Sequence, residues 1–488
     1  MDIAGERQPF VRPLNKVALV CTGEIYNHTA VRAVARDVAE FASKSDVEVI
    51  AYLYEQHGTD MVDLLDGMFA FAMYDSRRDD FFVARDRFGI KPLYYLTDGK
   101  QWLFASEIKA FIRTGYDLRA VREVPPGSMV TRAGVHPWLP QSVPRPTSIG
   151  DPAILRAVLA SSVEKHLQAD PDVRIGVFLS GGLDSSIITA LAVRQRPDIV
   201  AFTIGMDDSP DVSAARRVAE HLGIRLVECP LDLQDAYRRL PEAIRLTESY
   251  NAVKVLEGLL TMMLAEAAAS EGVKVILLGE GADEVFAGYG FMRKLGSSAM
   301  KEACQTLLRN IGSAECMRLD RATMAFSVEA RVPFLDPFLV DWAMSLPSTS
   351  LVRQSQGRLI EKWIMREAFS DLLPEDIIWR MKLAYDTGSG IMRLLNRMVE
   401  QISDLDVKFA RRVFPTAGIL DKLGVYLHRI WRKVFGECGG EEMHAMFGAY
   451  PLMPCSFDVY QSGGTGEDDA EVAVLKRARK LGYRSATC

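Results

Sequence analysis

Up to about residue 120 the apolar positions come in short runs, "KVALVCTG", "GMFAFAMYD", "DDFFVARD" and "QWLFASE", parted by turn residues and charges. Runs of this kind predict successive sheet strands. "AVRAVARDVAEFA" and "DVEVIAYLYEQHG" carry helical spacing instead. The Pro-rich stretch "VPPGSMVTRAGVHPWLPQSVPRPTSIGDP" then marks a domain boundary. From Asp151 a helix leads into a regular alternation, with strands expected at "RIGVFLS", "DIVAFTIGM", "IRLVECPL" and "KVILLGE". Helices are expected between them at "SSIITALAVRQ", "VSAARRVAEHLG" and "LTMMLAEAAASEG". That alternation predicts an α/β fold with a parallel sheet covered by helices on both faces. Beyond residue 300 the pattern is mainly helical, and from Glu437 it turns Gly-rich and acidic before a short basic helix. The expected organisation is a first domain over 1–145, a second over 150–436 and a flexible tail over 437–488.

Composition narrows the class. A chain of 488 residues exceeds one ordinary core, so two or three domains are expected. No window approaches the roughly 18 uninterrupted apolar residues of a membrane span, and "MDIAGERQPF" has no apolar signal region. The net charge is −6 with Lys and Arg scattered, which argues against a nucleic-acid partner. Seven cysteines with no CxxC pair suggest a reduced, cytoplasmic setting. His57, His166, His221 and His444 lie far apart and form no metal-like cluster.

The most informative motif is "GVFLSGGLDSS", residues 176–186. An apolar strand runs into Ser-Gly-Gly and a helix follows directly. Backbone N–H groups of such a turn form an anion nest, and the helix N-terminus adds its positive end. Ser180, Ser185 and Ser186 supply hydroxyl donors. Asp184 would repel phosphate unless a divalent cation lay between them, which points to magnesium. The plain alternative is a capped strand-to-helix turn. A second acidic loop, "LLGEGADEVFAGY" (277–289), also follows an apolar strand. Both loops are then expected at the carboxyl edge of one sheet, where ligands bind. Asp184 and Asp283 would share the magnesium, and Glu280, on a Gly-flanked turn, would serve proton transfer or handle an amine. Alone, that loop reads equally well as a capped helix start.

The first loop resembles the pyrophosphate loop of ATP pyrophosphatases, and the two together resemble the glutamine-dependent asparagine synthetases. "SPDVSAARRVAEHLG", "RATMAFSVEARVPFLD" and "EKWIMREAFSDLLPEDIIWRMK" are similar to that family's synthetase domain. "GEIYNH", "LDGMFAFAMYD" and "RDRFGIKPLYY" are similar to its glutaminase domain. The resemblance implies an N-terminal Ntn-hydrolase-like β-sandwich with helices, followed by a doubly wound ATP-pyrophosphatase domain. It implies adenylation of a carboxylate such as aspartate by ATP, then displacement of AMP by ammonia or an amine. Pyrophosphate would sit on Ser180, Gly181, Gly182, Asp184, Ser185 and Ser186. Leu179, Ile204 and Gly205 would meet adenine at the strand ends, with Gly279 and Glu280 completing the nucleotide site. Lys382, in "RMKLAYDTG", matches a lysine that neutralises the reacting phosphate, a role suited to a fixed ammonium. Arg331 and Asp336 would line the cavity or form a structural ion pair.

Some positions depart from the family pattern. Its glutaminase domain starts with a cysteine activated by its own α-amino group, whereas this chain begins "MDIAG". The expectation is a truncated, vestigial glutamine site, with Gly23, Glu24 and Asp46 matching and Thr22 where asparagine is usual. Cys21, at a strand end without a free amine, is expected to be structural. Val253, Lys254 and Leu256 stand where aspartate-using members carry threonines and an arginine, which suggests a different acid. Nitrogen would come as free ammonia, from a separate ammonia-supplying glutaminase, or as an amine; a homodimer is an open possibility. Two alternatives remain. One is a β-lactam synthetase-like cyclase, disfavoured because "GEGADE" keeps Glu280 where those enzymes resemble "GYGAD". The other is a degenerate nucleotide- or partner-binding homologue, disfavoured because Ser180, Asp184, Glu280, Asp283 and Lys382 are all present.

Overall fold

A computed structural model describes residues 8–12, 16–35, 41, 43–138 and 150–436; the expected tail and part of the Pro-rich link lie outside the described residues. The described residues fall into two compact units, the first running to 138 with Glu164–Val173 and Leu308–Asp320, the second comprising the rest. No described helix is long and apolar enough to cross a membrane.

The first unit is built on strands β1 (Phe10–Arg12), β2 (Val17–Ile25), β3 (Gly67–Asp75), β4 (Asp80–Arg85), β5 (Tyr94–Thr97), β6 (Trp102–Ala105), β7 (Arg122–Glu123), β8 (Ser128–Thr131) and β9 (Gly134–Pro137). They make one antiparallel sheet in the order β1-β2-β3-β4-β8-β9 and a second in the order β6-β5-β7. Strand periodicity assigns the faces. Along β3, Phe69, Phe71 and Met73 join Phe82, Val49, Ile50 and Leu53 in one core, on the side of helices α1 (His28–Ala35) and α2 (Glu48–His57). Ala70 and Ala72 face the other way, into a core with Leu93, Val124, Val130, Trp102 and Phe104. Small residues on that face let the second sheet pack closely, and the expected sandwich with helices results.

The second unit opens on α3 (Pro152–His166) up to Val163 and alternates β10 (Arg174–Phe178), α4 (Leu183–Gln195), β11 (Val200–Gly205), α5 (Pro210–Leu222), β12 (Arg225–Pro230), α6 (Leu233–Thr247), α7 (Ala252–Ser270) and β13 (Val273–Leu277). A fifth strand, β14 (Glu329–Arg331), comes after the short α8 (Ala282–Val285) and a helical stretch. All five strands are parallel, in the order β12-β11-β10-β13-β14. The chain moves one way from β10 and returns on its other side at β13, so the strand order reverses between these two. Local sequence sets the helix ends. Ser209 accepts a hydrogen bond from Val212 N–H with Pro210 at the first helical position, and Gly223 closes α5 in the left-handed conformation. Asp232 and Asn251 cap α6 and α7 in the same way. The strand β14 departs from the helical expectation. Its sequence, Glu-Ala-Arg, has no apolar run, and its two buried charges pair with one another, Arg331 Nε donating to Glu329 Oε1 at 2.8 Å.

Candidate active site

The loops after β10 and β13 emerge at the carboxyl edge on either side of the reversal, where a doubly wound sheet leaves a crevice. The first loop holds itself open with its own hydroxyls. Ser180 Oγ lies 3.1 Å from Ser185 Oγ and accepts from Gly182 N–H at 3.3 Å, while Ser185 Oγ donates to the Gly182 carbonyl at 3.3 Å. Ser180, Asp184 and Ser185 are half-buried, and Ser186 is fully buried beneath the loop. The second loop touches the first through Gly279, where a Cβ would sit 2.8 Å from Ser185 N and 3.0 Å from Asp184 Cβ. Only a residue without a side chain lets the two backbones approach this closely.

Asp184 and Asp283 thus face one another, and a lysine stands between them. Lys362 Nζ is 2.8 and 2.6 Å from the two carboxylate oxygens of Asp184 and 2.5 Å from Asp283 Oδ1. Lys382 Nζ binds the remaining oxygen, Asp283 Oδ2, at 2.8 Å. Lys362 is almost completely buried, whereas the Lys382 side chain is 37% exposed. Burial pushes the Asp283 carboxyl up, but the Lys362 and Lys382 ammoniums outweigh it and hold Asp283 well below the usual carboxylate range. Burial raises Asp184, Lys362 opposes that, and the charge on Asp283 raises it further. The two carboxylates are thus shifted in opposite directions, Asp283 held down by two ammoniums and Asp184 raised by burial.

A third cation closes the edge of the cluster. Arg380 donates to Asp211 Oδ1 at 2.6 Å and to the Ser180 carbonyl at 3.4 Å. The chain beyond it is tied to the end of β11 and the start of α5, because Met206 N–H donates to Ser389 O and Ser209 Oγ to Gly388 O. Sequence reasoning singled out Lys382 but neither Lys362 nor Arg380. The available signal was that all three sit within the quoted stretch "EKWIMREAFSDLLPEDIIWRMK".

The remaining expected residues separate by position. Leu179 and Ile204 are buried at the strand ends, with Leu179 N–H bonded to Phe202 O and the Gly205 carbonyl accepting from Leu231 N–H. Glu280 is half-buried on the turn beside Gly279. Arg331 pairs with Glu329, and Asp336 caps the helix Pro337–Met344 by accepting from Phe338 and Leu339 N–H, so both do structural work. Lys254 is 7% exposed in the first turn of α7 beside buried Leu256. The preceding segment is pinned by a buried ion pair, Arg321 to Glu248 at 2.6 Å.

In the first unit, Gly23 and Asp46 each have a backbone task around the end of β2, where Glu24 is buried. Gly23 has φ +133°, and a Cβ there would lie 1.9 Å from Met68 O on the paired strand β3. Asp46 Oδ2 accepts from Ile25 N–H at 2.7 Å, and Glu24 is buried between them in sequence. Cys21 lies within β2, packs against the apolar core, and has its N–H and carbonyl bonded to the Gln8 side chain at 2.6 and 2.8 Å.

The asparagine synthase family model matches residues 154–301 and 293–437, and a glutamine amidotransferase domain model matches residues 1–130. An Arabidopsis thaliana protein named asparagine synthetase [glutamine-hydrolyzing] 2 is 36% identical over 464 residues, covering 89% of this chain and 78% of that one. The asparagine synthetase [glutamine-hydrolyzing] of Asparagus officinalis is 34% identical over 466 residues, covering 90% and 77%. These matches run through both units and through every segment that meets at the paired loops, and on that basis the chain belongs to the asparagine synthase family.

Proposed function

We propose that the second unit is an ATP-dependent amide ligase that adenylates the carboxylate of aspartate or a related acid and then forms the amide. The observation that carries this reading is the meeting of two sheet-edge loops and two lysines around Asp184 and Asp283. An oxygen of the acid attacks the α-phosphorus of ATP, the bond to the β-phosphate oxygen breaks, and pyrophosphate leaves. Ser180, Ser185 and the backbone of Gly181 and Gly182 cradle the departing anion at the start of α4. Lys382 and Lys362 neutralise charge as it builds on the phosphates, where fixed donors contribute most. Both lysines begin paired with carboxylates, so phosphate binding exchanges one anion for another and leaves no ammonium stripped bare. An amine nitrogen then attacks the acyl carbon, AMP departs, and Glu280 takes the surplus proton.

Two carboxylates beside a phosphate cradle suit magnesium, which is held by one or two carboxylates plus substrate oxygens. Asp184 and Asp283 would hold it, and bound there it would screen the charge between the carboxylates and the triphosphate. Nitrogen enters as ammonia or an amine. Cys21, packed into β2, is structural in this reading, and Gly23, Glu24 and Asp46 serve the sheet. Incubating the 488-residue chain with ATP, magnesium, aspartate and ammonium tests the proposal. AMP and pyrophosphate should appear in equal amounts with an amide product. Glutamine in place of ammonium should give none. Absence of ATP–pyrophosphate exchange across a panel of acids would refute adenylation, and efficient use of glutamine would refute the nitrogen source.

A further inference from the structure

The two lysines arrive on different segments, and neither segment is regular where it matters. Lys362 sits at φ +53° just before the helix Trp363–Ala368, a conformation that costs a non-glycine residue energy and needs support. Lys382 lies in a stretch without regular structure between Arg380 and Ala384. Sheet and helix hydrogen bonds therefore do not fix one lysine relative to the other. Their shared partner Asp283 does so only while it holds them both, and in the proposed reaction phosphate takes its place.

One buried guanidinium spans both segments. Arg366 is 1% exposed, and its Nε donates to the carbonyl of Glu361, the residue before Lys362, at 2.9 Å. Its second terminal nitrogen donates to Glu361 Oε1 at 2.8 Å. Its first terminal nitrogen donates to the carbonyls of Ile378 and Arg380, the latter at 3.1 Å and two residues before Lys382. The fork also lies 6.0 Å from the Trp379 ring, which packs on Trp363 at 5.5 Å. Burial pulls the Arg366 pKa down, and the Glu361 carboxylate beside it pushes back.

We infer that Arg366 is a positioning residue, whose rigid fork sets the separation of Lys362 and Lys382 and thereby the affinity of the site for pyrophosphate. The inference rests on the proposed adenylation for its catalytic meaning, but its primary readout is binding. A planar guanidinium with several donors in fixed directions can hold two backbones at once; a lysine in its place offers a point charge and no fork.

The test is calorimetric titration of the full chain with inorganic pyrophosphate and magnesium, alongside ATP–pyrophosphate exchange and thermal unfolding. Arg366→Lys should weaken pyrophosphate binding about tenfold, as a small displacement of charged groups does. Its kcat for exchange should fall by more than the KM for ATP rises. Glu361→Gln keeps an Oε1 acceptor and both sets of carbonyl bonds, so it should bind pyrophosphate within about threefold of wild type. If Arg366→Lys does not fold, the double variant Glu361→Met, Arg366→Met replaces the buried pair by apolar packing, an exchange that is often neutral for stability. It should show the same loss of pyrophosphate affinity. A folded Arg366→Lys or double variant that binds pyrophosphate like wild type overturns the inference, as does an equal loss in Glu361→Gln. Failure of wild-type exchange with every acid counts against adenylation instead, and the pyrophosphate titration still decides the role of Arg366.

Discussion

The two units carry sequence signals of the same kind, glycines and acids in short matched motifs, and the structure treats them differently. In the second unit the motif residues converge with cations from segments far along the chain. Asp184 meets Lys362 across 178 positions, and Asp283 holds Lys362 and Lys382 together. Holding two carboxylates and two ammoniums together beneath a phosphate-type loop is costly unless each charge is paired, and each is. In the first unit the same kind of residue meets the backbone: Gly23 lies against β3, and Asp46 accepts the Ile25 N–H. A motif match by itself does not distinguish chemistry from scaffolding, whereas charges brought together at one sheet edge do.

The largest effect should come from removing a charge from the converged cluster. Lys382→Ala is expected to lower the rate of pyrophosphate release about 10²- to 10³-fold, the loss typical of one donor aimed at transition-state charge. The side chain is over one-third exposed, so the fold should be spared. Steady-state release kinetics check this, with thermal unfolding as control. A rate within about threefold of wild type would mean that the cluster is an ion-pair network like any other, and the contrast between the units would collapse.

A second effect follows from how Asp283 titrates. Its folded carboxyl is held below the unfolded value of about 3.9 by Lys362 and Lys382, against the opposing pull of burial. Such a group contributes stability that is complete above the unfolded value and is lost as pH falls through the lower, folded one. Asp283→Asn should therefore be less stable than wild type near neutrality by about 3–5 kcal/mol, the cost of breaking a largely buried pair. That gap should begin to narrow below about pH 4 and close only as pH falls through the lower, folded value. Denaturant unfolding at a series of pH values measures it, and a gap independent of pH would mean that the two lysines do not stabilise an ionised Asp283.

Much of the second unit is legible in the sequence because buried parallel strands read as continuous apolar runs and because Ser-Pro, Asp and Asn mark the helix starts. The adjacency of the two acidic loops follows from strand–loop–helix context alone. Lys362 is not legible that way: nothing near "IEKWIM" announces an anion partner, and its importance exists only once the loops fold around it. The same holds for β14, which pairs with β13 and buries an ion pair where an apolar run would be the usual signal. Ser186 illustrates the reverse, because a hydroxyl in the right place by motif is turned inward by the helical period and fully buried.

The smallest effects sharpen the comparison from the side of the first unit. Gly23→Ala places a Cβ against Met68 O at a backbone angle that disfavours any side chain, so a loss of roughly 1–3 kcal/mol of stability is expected. Ammonia-dependent amide formation per folded molecule should be unchanged, because the glycine serves β2 and β3. Cys21→Ser, two positions away, removes a thiol that packs against the apolar core and leaves the Gln8 bonds to its backbone intact. The expected change is under about 1 kcal/mol, since Cys21 is half-buried and the swap changes volume little. Ammonium-dependent activity should stay as it is, and glutamine should still give no product. Equilibrium unfolding of both variants, with product formation from ammonium and from glutamine, measures the pair. A glutamine-dependent rate found in the wild type and lost in Cys21→Ser would make that thiol a nucleophile after all, and would turn the first unit from scaffold into a second reactive site.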